Sequence, residues 1–445
     1  MNPAISNTMV SYQDSLQEPG FRWMKYREAF STKLVEYLIE KASPRNVLDP
    51  FSGIGTAPIV ASRRGIDATG IEIMPVSMLA ARAISSASQE MSSQLFSDTA
   101  ARILSHLHSG HSPPSDSYFP HVTITSGAFT ERNEVYIARA REFISRVENG
   151  TVRDFLNVAC MSVLESASFT RKDGQYLRWD SRSGKSHGRM LKPIIRCFAE
   201  ALKVRLYEII EDLEVLPKYS ANSIPKFVSG SSLDCLQRIP SESFDMVITS
   251  PPYANRYDYT RTYALELAWL GYDEMGFKTL RQDMLSATVE NKSKRSELIE
   301  SYGNRSILRS ALAVFDNQAV LHEILARLRL DISRLSNRNI VRMLEGYFLE
   351  MALIVAELAR IVRPAGTVVM VNDNVQYQGE ELPVDLVLSS FAEDSGFTCK
   401  HIWTLARGKG NSSQQMKRYG RRELRKCVYW WERSDDALAG SLSGL

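Results

Sequence analysis

Short apolar runs bounded by turn residues recur along the chain, and between them lie stretches whose apolar positions repeat every three to four residues. The first pattern predicts buried strands at 45–49, 67–73, 226–230, 244–250, 366–372, 399–407 and 426–433. The second predicts helices at about 28–43, 56–64, 190–213, 340–362 and 384–396. Strands alternating with helices form a doubly wound α/β sheet. Between the last two strands lies only the basic stretch 408–425, so they read as an antiparallel pair closing one edge. Two long stretches interrupt the alternation. The first, 81–225, continues a helical start at 78–108, turns at His111-Ser112-Pro113-Pro114, and resumes helical patterning at 135–147 and 152–166. The second, 273–339, is polar, with Lys292, Lys294 and Arg295 in a loop-like stretch and an amphipathic helix over 314–335. The chain thus divides into core pieces at 1–80, 226–272 and 340–433, two largely helical insertions, and a tail at 434–445.

The strand predicted at 244–250 runs directly into Ser250-Pro251-Pro252-Tyr253. Each proline lacks a backbone N–H and has a fixed φ, so the strand must stop there, at its C-terminal edge. In open α/β sheets that edge is where ligands bind. The stiff turn presents bare carbonyls, a hydroxyl and an aromatic ring, a set suited to gripping the exocyclic amine of a flat nucleobase. The same tetrapeptide also occurs in ordinary turns.

A second motif lies upstream. Residues 45–56 read Arg-Asn-Val-Leu-Asp-Pro-Phe-Ser-Gly-Ile-Gly-Thr: a strand, an acid, a Gly-rich turn and a helix start. Gly53 and Gly55 let the backbone approach a ligand closely. The next strand ends in Glu72, placed as an acid that accepts hydrogen bonds from ribose hydroxyls would be.

With both motifs in place the sequence resembles the S-adenosylmethionine-dependent amino-methyltransferases of DNA, and Ser-Pro-Pro-Tyr most resembles their N4-cytosine branch. The resemblance covers residues 20–80, 226–272 and 340–433. It implies a Rossmann-like seven-stranded methyltransferase sheet of strand order 3-2-1-4-5-7-6 and S-adenosyl-L-methionine as cofactor. Tyr26 and Phe30 look like the N-terminal motif, whose Phe packs on the bound cofactor. Asp49, Pro50, Phe51, Gly53, Gly55 and Thr56 match the cofactor turn, Glu72 the ribose acid, and Asp234 the acid that faces the adenine amine. Ser250, Pro251, Pro252 and Tyr253 match the methyl-transfer motif. The longer insertion lies between the ribose and adenine acids, which departs from common layouts of the family; 81–225 is the expected target-recognition element, with 273–339 assisting.

Cysteine usage separates two chemistries. Carbon-5 methylation of cytosine needs a covalent thiolate, which that family presents in a Pro-Cys dipeptide. Here the five cysteines at 160, 197, 235, 399 and 427 follow Ala, Arg, Asp, Thr and Lys. None belongs to a Cys-x-x-Cys pair, so the cysteines suggest neither a disulfide scaffold nor a zinc site, and no metal is expected. Cys235 reads as a small pocket-wall residue.

At 445 residues and 44% hydrophobic the chain can bury a full core. No run approaches the roughly 18 apolar residues of a membrane span, and no secretory signal is visible, so the expected location is the cytoplasm. The net charge of +3 hides a segregation. Residues 168–196 hold eight basic side chains against two acidic ones, and 407–426 hold eight against one; together they carry +13 and leave −10 for the rest. A phosphate-binding surface on an otherwise acidic protein produces this distribution, and so does a pair of solvated faces. The candidate nucleic-acid contacts are Arg171, Lys172, Arg178, Arg182, Lys185, Lys417, Arg418, Arg421 and Arg422, with Arg256 and Arg261 after the Pro-Pro turn. Tyr257, Tyr259 and Tyr263 either line the base pocket or form a packing set, and Asn372-Asp373-Asn374 is either a turn or a ligand contact.

The expected partner is double-stranded DNA, with a cognate restriction endonuclease as a separate chain; no motif specifies an oligomeric state. N6-adenine methylation, RNA methylation and a non-catalytic DNA-binding module stay open beside the cytosine reading.

Overall fold

The computed structural model describes residues 4–89, 93–173, 176–179, 194–219, 223–405 and 423–434, with Asn2, Lys409–Gly410 and Gly420. Its centre is a seven-stranded sheet. The strands are β1 (Asn46–Asp49), β2 (Asp67–Glu72), β3 (Lys226–Ser229), β4 (Phe244–Thr249), β5 (Val362–Asp373), β6 (Phe397–Thr404) and β7 (Lys426–Arg433). Their spatial order is β3-β2-β1-β4-β5-β7-β6, the one the resemblance implied. The first five run parallel, and β7 pairs antiparallel with both β5 and β6. Reversal of order between β1 and β4 opens a crevice at the strand C-termini, where the two motifs meet.

Strict alternation along the central strands divides the interior in two. Val47, Met246, Ile248, Val369 and Val371 enter one hydrophobic cluster, and Leu48, Val247, Val368 and Met370 enter the other. Each side chain so buried contributes on the order of 1.5–3 kcal/mol. The first insertion covers the first face, where its helices Ser93–Leu107, Gly150–Ala167 and Phe198–Val215 join Thr32–Ala42 and Thr56–Arg63. The second insertion covers the opposite face from Leu285 onward, while its first helix, Glu274–Asp283, joins the first cluster. The later part packs on the helix Ile340–Ile361, which lies between it and the sheet and is therefore apolar nearly all round.

Several elements differ from their sequence outlines. The stretch 314–335 is two helices, Ser306–Asp316 and Ala319–Leu330, because Gln318 Oε1 accepts the free N–H groups of Val320 and Leu321 and starts a new helix. The helical start at 78–108 is likewise two helices, Pro75–Ala87 and Ser93–Leu107. The first helix begins at Thr32 rather than 28, capped by Ser31, which leaves the segment through Tyr26 and Phe30 non-helical. That segment is pinned by the buried carboxylate of Asp212 in the first insertion, which accepts from Gly20 N at 2.8 Å, from Trp23 Nε1 at 2.7 Å and from Arg22. Among the described residues no helix is long and apolar enough to cross a membrane.

Candidate active site

The turn after β1 is assembled by two buried carboxylates. Asp49 Oδ1 accepts from Thr249 Oγ1 at 2.7 Å and from Phe51 N at 3.0 Å, tying the end of β1 to the end of β4. Glu72 Oε2 accepts from Gly53 N at 2.6 Å and Oε1 from Met74 N at 2.7 Å, closing the turn against β2. Burial pushes both acids up to about 7, against the opposing pull of these same hydrogen bonds. Gly53 has φ 53°, and a Cβ there would lie 2.9 Å from the Tyr26 ring. Gly55, at φ 82°, is required for a different reason than close approach of a ligand: a Cβ would meet the Phe227 ring at 2.8 Å, so this glycine lets the helix start pack on β3.

Above the turn is a cavity that opens to solvent. Tyr26, Glu28 and Phe30 form one wall; Asp49, Pro50, Phe51, Ser52, Gly53 and Thr56 form the floor, and Glu72 with Met74 a second wall. Ser231, Ser232, Ser250, Pro252 and Tyr259 complete the rim on the β3 and β4 side. Gly55, Pro251, Tyr253 and Asp234 lie off this lining. Asp234 is exposed on the short helix Ser232–Cys235, whose first residue faces the cavity and donates its hydroxyl to the Pro50 carbonyl. Cys235 is buried in the opposite cluster rather than in the cavity wall, and burial raises its thiol pKa. All five cysteines are free.

At the end of β4 the Ser250 hydroxyl donates to the Val371 carbonyl on β5 at 3.1 Å and sits 3.2 Å from the Tyr253 hydroxyl. Lys426 Nζ lies 5.9 Å from the centre of the Tyr253 ring. The following tyrosines divide the two roles considered for them. Tyr259 lines the cavity, whereas Tyr263 is buried, stacks on Tyr26 and donates to Glu28 Oε2 at 2.6 Å. Asn372 and Asn374 are internal: Asn372 Nδ2 donates to the Tyr347 hydroxyl and Asn374 Oδ1 accepts from Asp385 N.

Three contributors to the cavity were not singled out in the sequence. Glu28 sits between Tyr26 and Phe30, and its Oε1 is a buried oxygen with no hydrogen-bond partner among the described residues. Met284 and Leu285 come from the second insertion. They are held by the buried pair Lys294–Glu350 at 3.0 Å, in which Lys294 also donates to the Met284 carbonyl and Glu350 accepts from Ser286 N. A lysine in a polar stretch reads as a solvated cation, and only the tertiary partner reveals a clamp.

The same correction applies to Lys172. Its ammonium is buried, 2.5 Å from Glu266 and 4.0 Å from the centre of the Tyr263 ring, so its charge is neutralised inside the protein and is not offered to a phosphate. Its neighbours Arg171 and Arg178 are exposed on a hairpin, Thr170–Asp173 with Tyr176–Trp179. The Tyr176 ring of that hairpin lies beneath Arg178 at 5.6 Å and Arg261 at 5.7 Å, which sets the first insertion beside the helix that follows the Pro-Pro turn. Arg256, at φ 68°, donates to Ser336 Oγ in the second insertion. Arg182, Lys185, Lys417, Arg418, Arg421 and Arg422 lie outside the described residues.

The sheet order is that of an α/β methyltransferase, and the cavity lies at its topological switch. Relatives give the family. The chain is 40% identical over 448 residues to the type II methyltransferase M.AvaI of a Nostoc species and to that of Anabaena variabilis, covering 97% of this chain and 90% of each relative. It is 38% identical over 463 residues to the type II methyltransferase M.BsoBI of Geobacillus stearothermophilus, with 96% and 88% covered. No family model matches. The chain belongs to the type II methyltransferases.

Proposed function

We propose that this enzyme transfers the methyl group of S-adenosyl-L-methionine to the N4 amine of cytosine in double-stranded DNA, and that it is the modification partner of a separate restriction endonuclease. The observation that carries the reading is that Ser250 and Pro252 share one cavity with Gly53 and Glu72, so a grip for an amine stands beside a pocket for a nucleoside. The cavity residues fit that cofactor. Glu72 keeps lone pairs for ribose hydroxyls, and Tyr26 and Phe30 offer apolar wall. Glu28 Oε1 and Ser52 Oγ are buried polar atoms still without partners among the described residues. Glu28, Asp49 and Glu72 together favour a ligand that carries positive charge.

When bound, the cofactor supplies an electrophilic methyl group on sulfonium. The chain's own task is to make a poor nucleophile attack it, since the cytosine amine has its lone pair delocalised into the ring. Because the Ser250 proton is engaged with the Val371 carbonyl, the Ser250 oxygen is left to accept an N–H from the amine. A carbonyl beside Pro251 accepts the second N–H, and the two bonds draw the nitrogen towards tetrahedral geometry. Tyr253 stacks on the base. Holding both reactants in line is worth up to roughly 7–11 kcal/mol, which offsets the few kcal/mol needed to turn the cytosine out of the duplex. No strong base is required, because the methylated amine is acidic and loses its proton to solvent.

Arg171, Arg178 and Arg261 stand at the junction of the first insertion with the target side of the site, so that insertion is the proposed reader of the flanking duplex. Tritiated-methyl transfer to duplex DNA and to RNA tests the function. Label in DNA that falls sharply in Ser250→Ala is expected; label in RNA alone, or none, overturns the reading.

A further inference from the structure

Away from the methyl-transfer cleft, three ligand-type side chains converge in the first insertion. His106 ends the helix Ser93–Leu107, His111 sits in the loop beyond it, and Glu142 projects from the helix Glu131–Ser145. Their ligand atoms all lie within 4.8 Å of one another. Glu142 Oε2 is 3.3 Å from His106 Nε2 and 2.8 Å from His111 Nε2. Ligands on a tetrahedral zinc ion at about 2.0–2.1 Å stand roughly 3.3 Å apart, so the first distance already fits and the second needs to open by about half an ångström.

The hydrogen bonds around His111 favour a cation at this point. Ser109 has one hydroxyl proton and donates it to the His106 carbonyl at 2.6 Å. Towards His111 Nδ1, at 2.7 Å, the Ser109 oxygen can then only accept, so Nδ1 carries the ring proton. With Nδ1 protonated, Nε2 faces Glu142 Oε2 either as the N–H donor of a charged ring or as a lone pair free to ligate a metal ion. An imidazole whose far N–H is held by an oxygen is also the usual state of a zinc-bound histidine. The loop is braced from outside the cluster: Arg139 donates to the carbonyls of Leu107 at 2.7 Å and His111 at 2.8 Å. Arg146 occupies the other oxygen of Glu142 at 2.7 Å, which leaves Oε2 for the ion.

We propose that His106, His111 and Glu142 form a zinc(II) site, with water as the fourth ligand on the exposed side, that fastens the histidine loop to the helix Glu131–Ser145. Two imidazoles and one carboxylate, with no thiolate, suit zinc. The site stands apart from methyl transfer, because none of the three side chains lines the methyl-transfer cavity.

The test uses the full-length protein stripped with a chelator, dialysed and titrated with zinc chloride against a chromophoric chelator. One equivalent bound at micromolar affinity or tighter is expected, with a rise in melting temperature on zinc addition. Because His111 is partly exposed, His111→Ala leaves the fold intact and is expected to lower affinity at least tenfold; Glu142→Gln does the same, while His108→Ala, outside the cluster, changes neither affinity nor stoichiometry. Binding of no zinc by the wild type, or equal binding by wild type and His111→Ala, overturns the site.

Discussion

The two halves of the cleft are held by different kinds of bond. On the proposed cofactor side, two carboxylates accept mainly backbone N–H groups of the turn they shape, Asp49 from Phe51 and Glu72 from Gly53 and Met74, with one long-range tie from Asp49 to Thr249 on β4. On the target side, the grip depends on partners far along the chain: Ser250 on Val371, and Tyr253 on Lys426 above its ring. The difference separates binding from turnover. The turn needs only β1, β2 and the end of β4 in place, whereas the proposed amine grip needs β4, β5 and β7 in register.

Substitutions on the two sides are expected to split the kinetics. The largest effect belongs to Gly53→Val, which forces a branched residue to a positive φ and drives its Cβ against Tyr26. Cofactor affinity measured by calorimetry should fall about 100-fold or more, with duplex affinity retained. Retained cofactor affinity would place the cofactor elsewhere. Next comes Tyr253→Ala, expected to lower kcat roughly 10–100-fold by loss of stacking while the cofactor Kd stays within about threefold. Ser250→Ala should follow at about tenfold in kcat, one hydrogen bond's worth. A parallel loss of cofactor affinity in either variant would erase the distinction between the halves.

A smaller effect follows from the buried acids. Asp49 and Glu72 have folded-state values near 7, above their ordinary 3.8 and 4.5, so the folded chain binds more protons than the unfolded chain across that interval. Their contribution to stability is present below about pH 4 and is lost as the pH rises through 7. The ligand-free protein should accordingly lose melting temperature over this window, and Glu72→Gln should flatten the loss in scanning calorimetry. The smallest effect is expected from Arg178→Glu, which should weaken binding to all duplexes alike and reduce the salt dependence by about one counterion. A changed sequence preference would mean that the hairpin reads bases.

The same contrast explains what could be read from the chain. The seven strands, their order and the cofactor turn were legible because β1, the turn and β2 are specified by contiguous residues with strand-period apolar patterning. Gly53 and Glu72 lie on that contiguous stretch and Ser250 ends an equally regular strand, and the structure brings all three to one cavity. Glu28, Met284 and Leu285 were not legible, since they reach the cavity through tertiary packing of an N-terminal segment and an insertion with no motif. Lys172 misled in the opposite sense: it sits in a basic stretch, yet it is buried against Glu266, as Lys294 is against Glu350. Charge counted along a sequence cannot separate an internal ion pair from a phosphate contact. Gly55 was recognised by type but serves the packing of Phe227 rather than a ligand.

The central proposal is direct methyl transfer to the cytosine amine by the Ser250–Tyr253 grip. Duplex DNA methylated by the purified enzyme, digested to nucleosides and resolved by mass spectrometry, tests it most directly. N4-methylcytosine as the modified nucleoside is the expected result; N6-methyladenine or 5-methylcytosine in its place would contradict it.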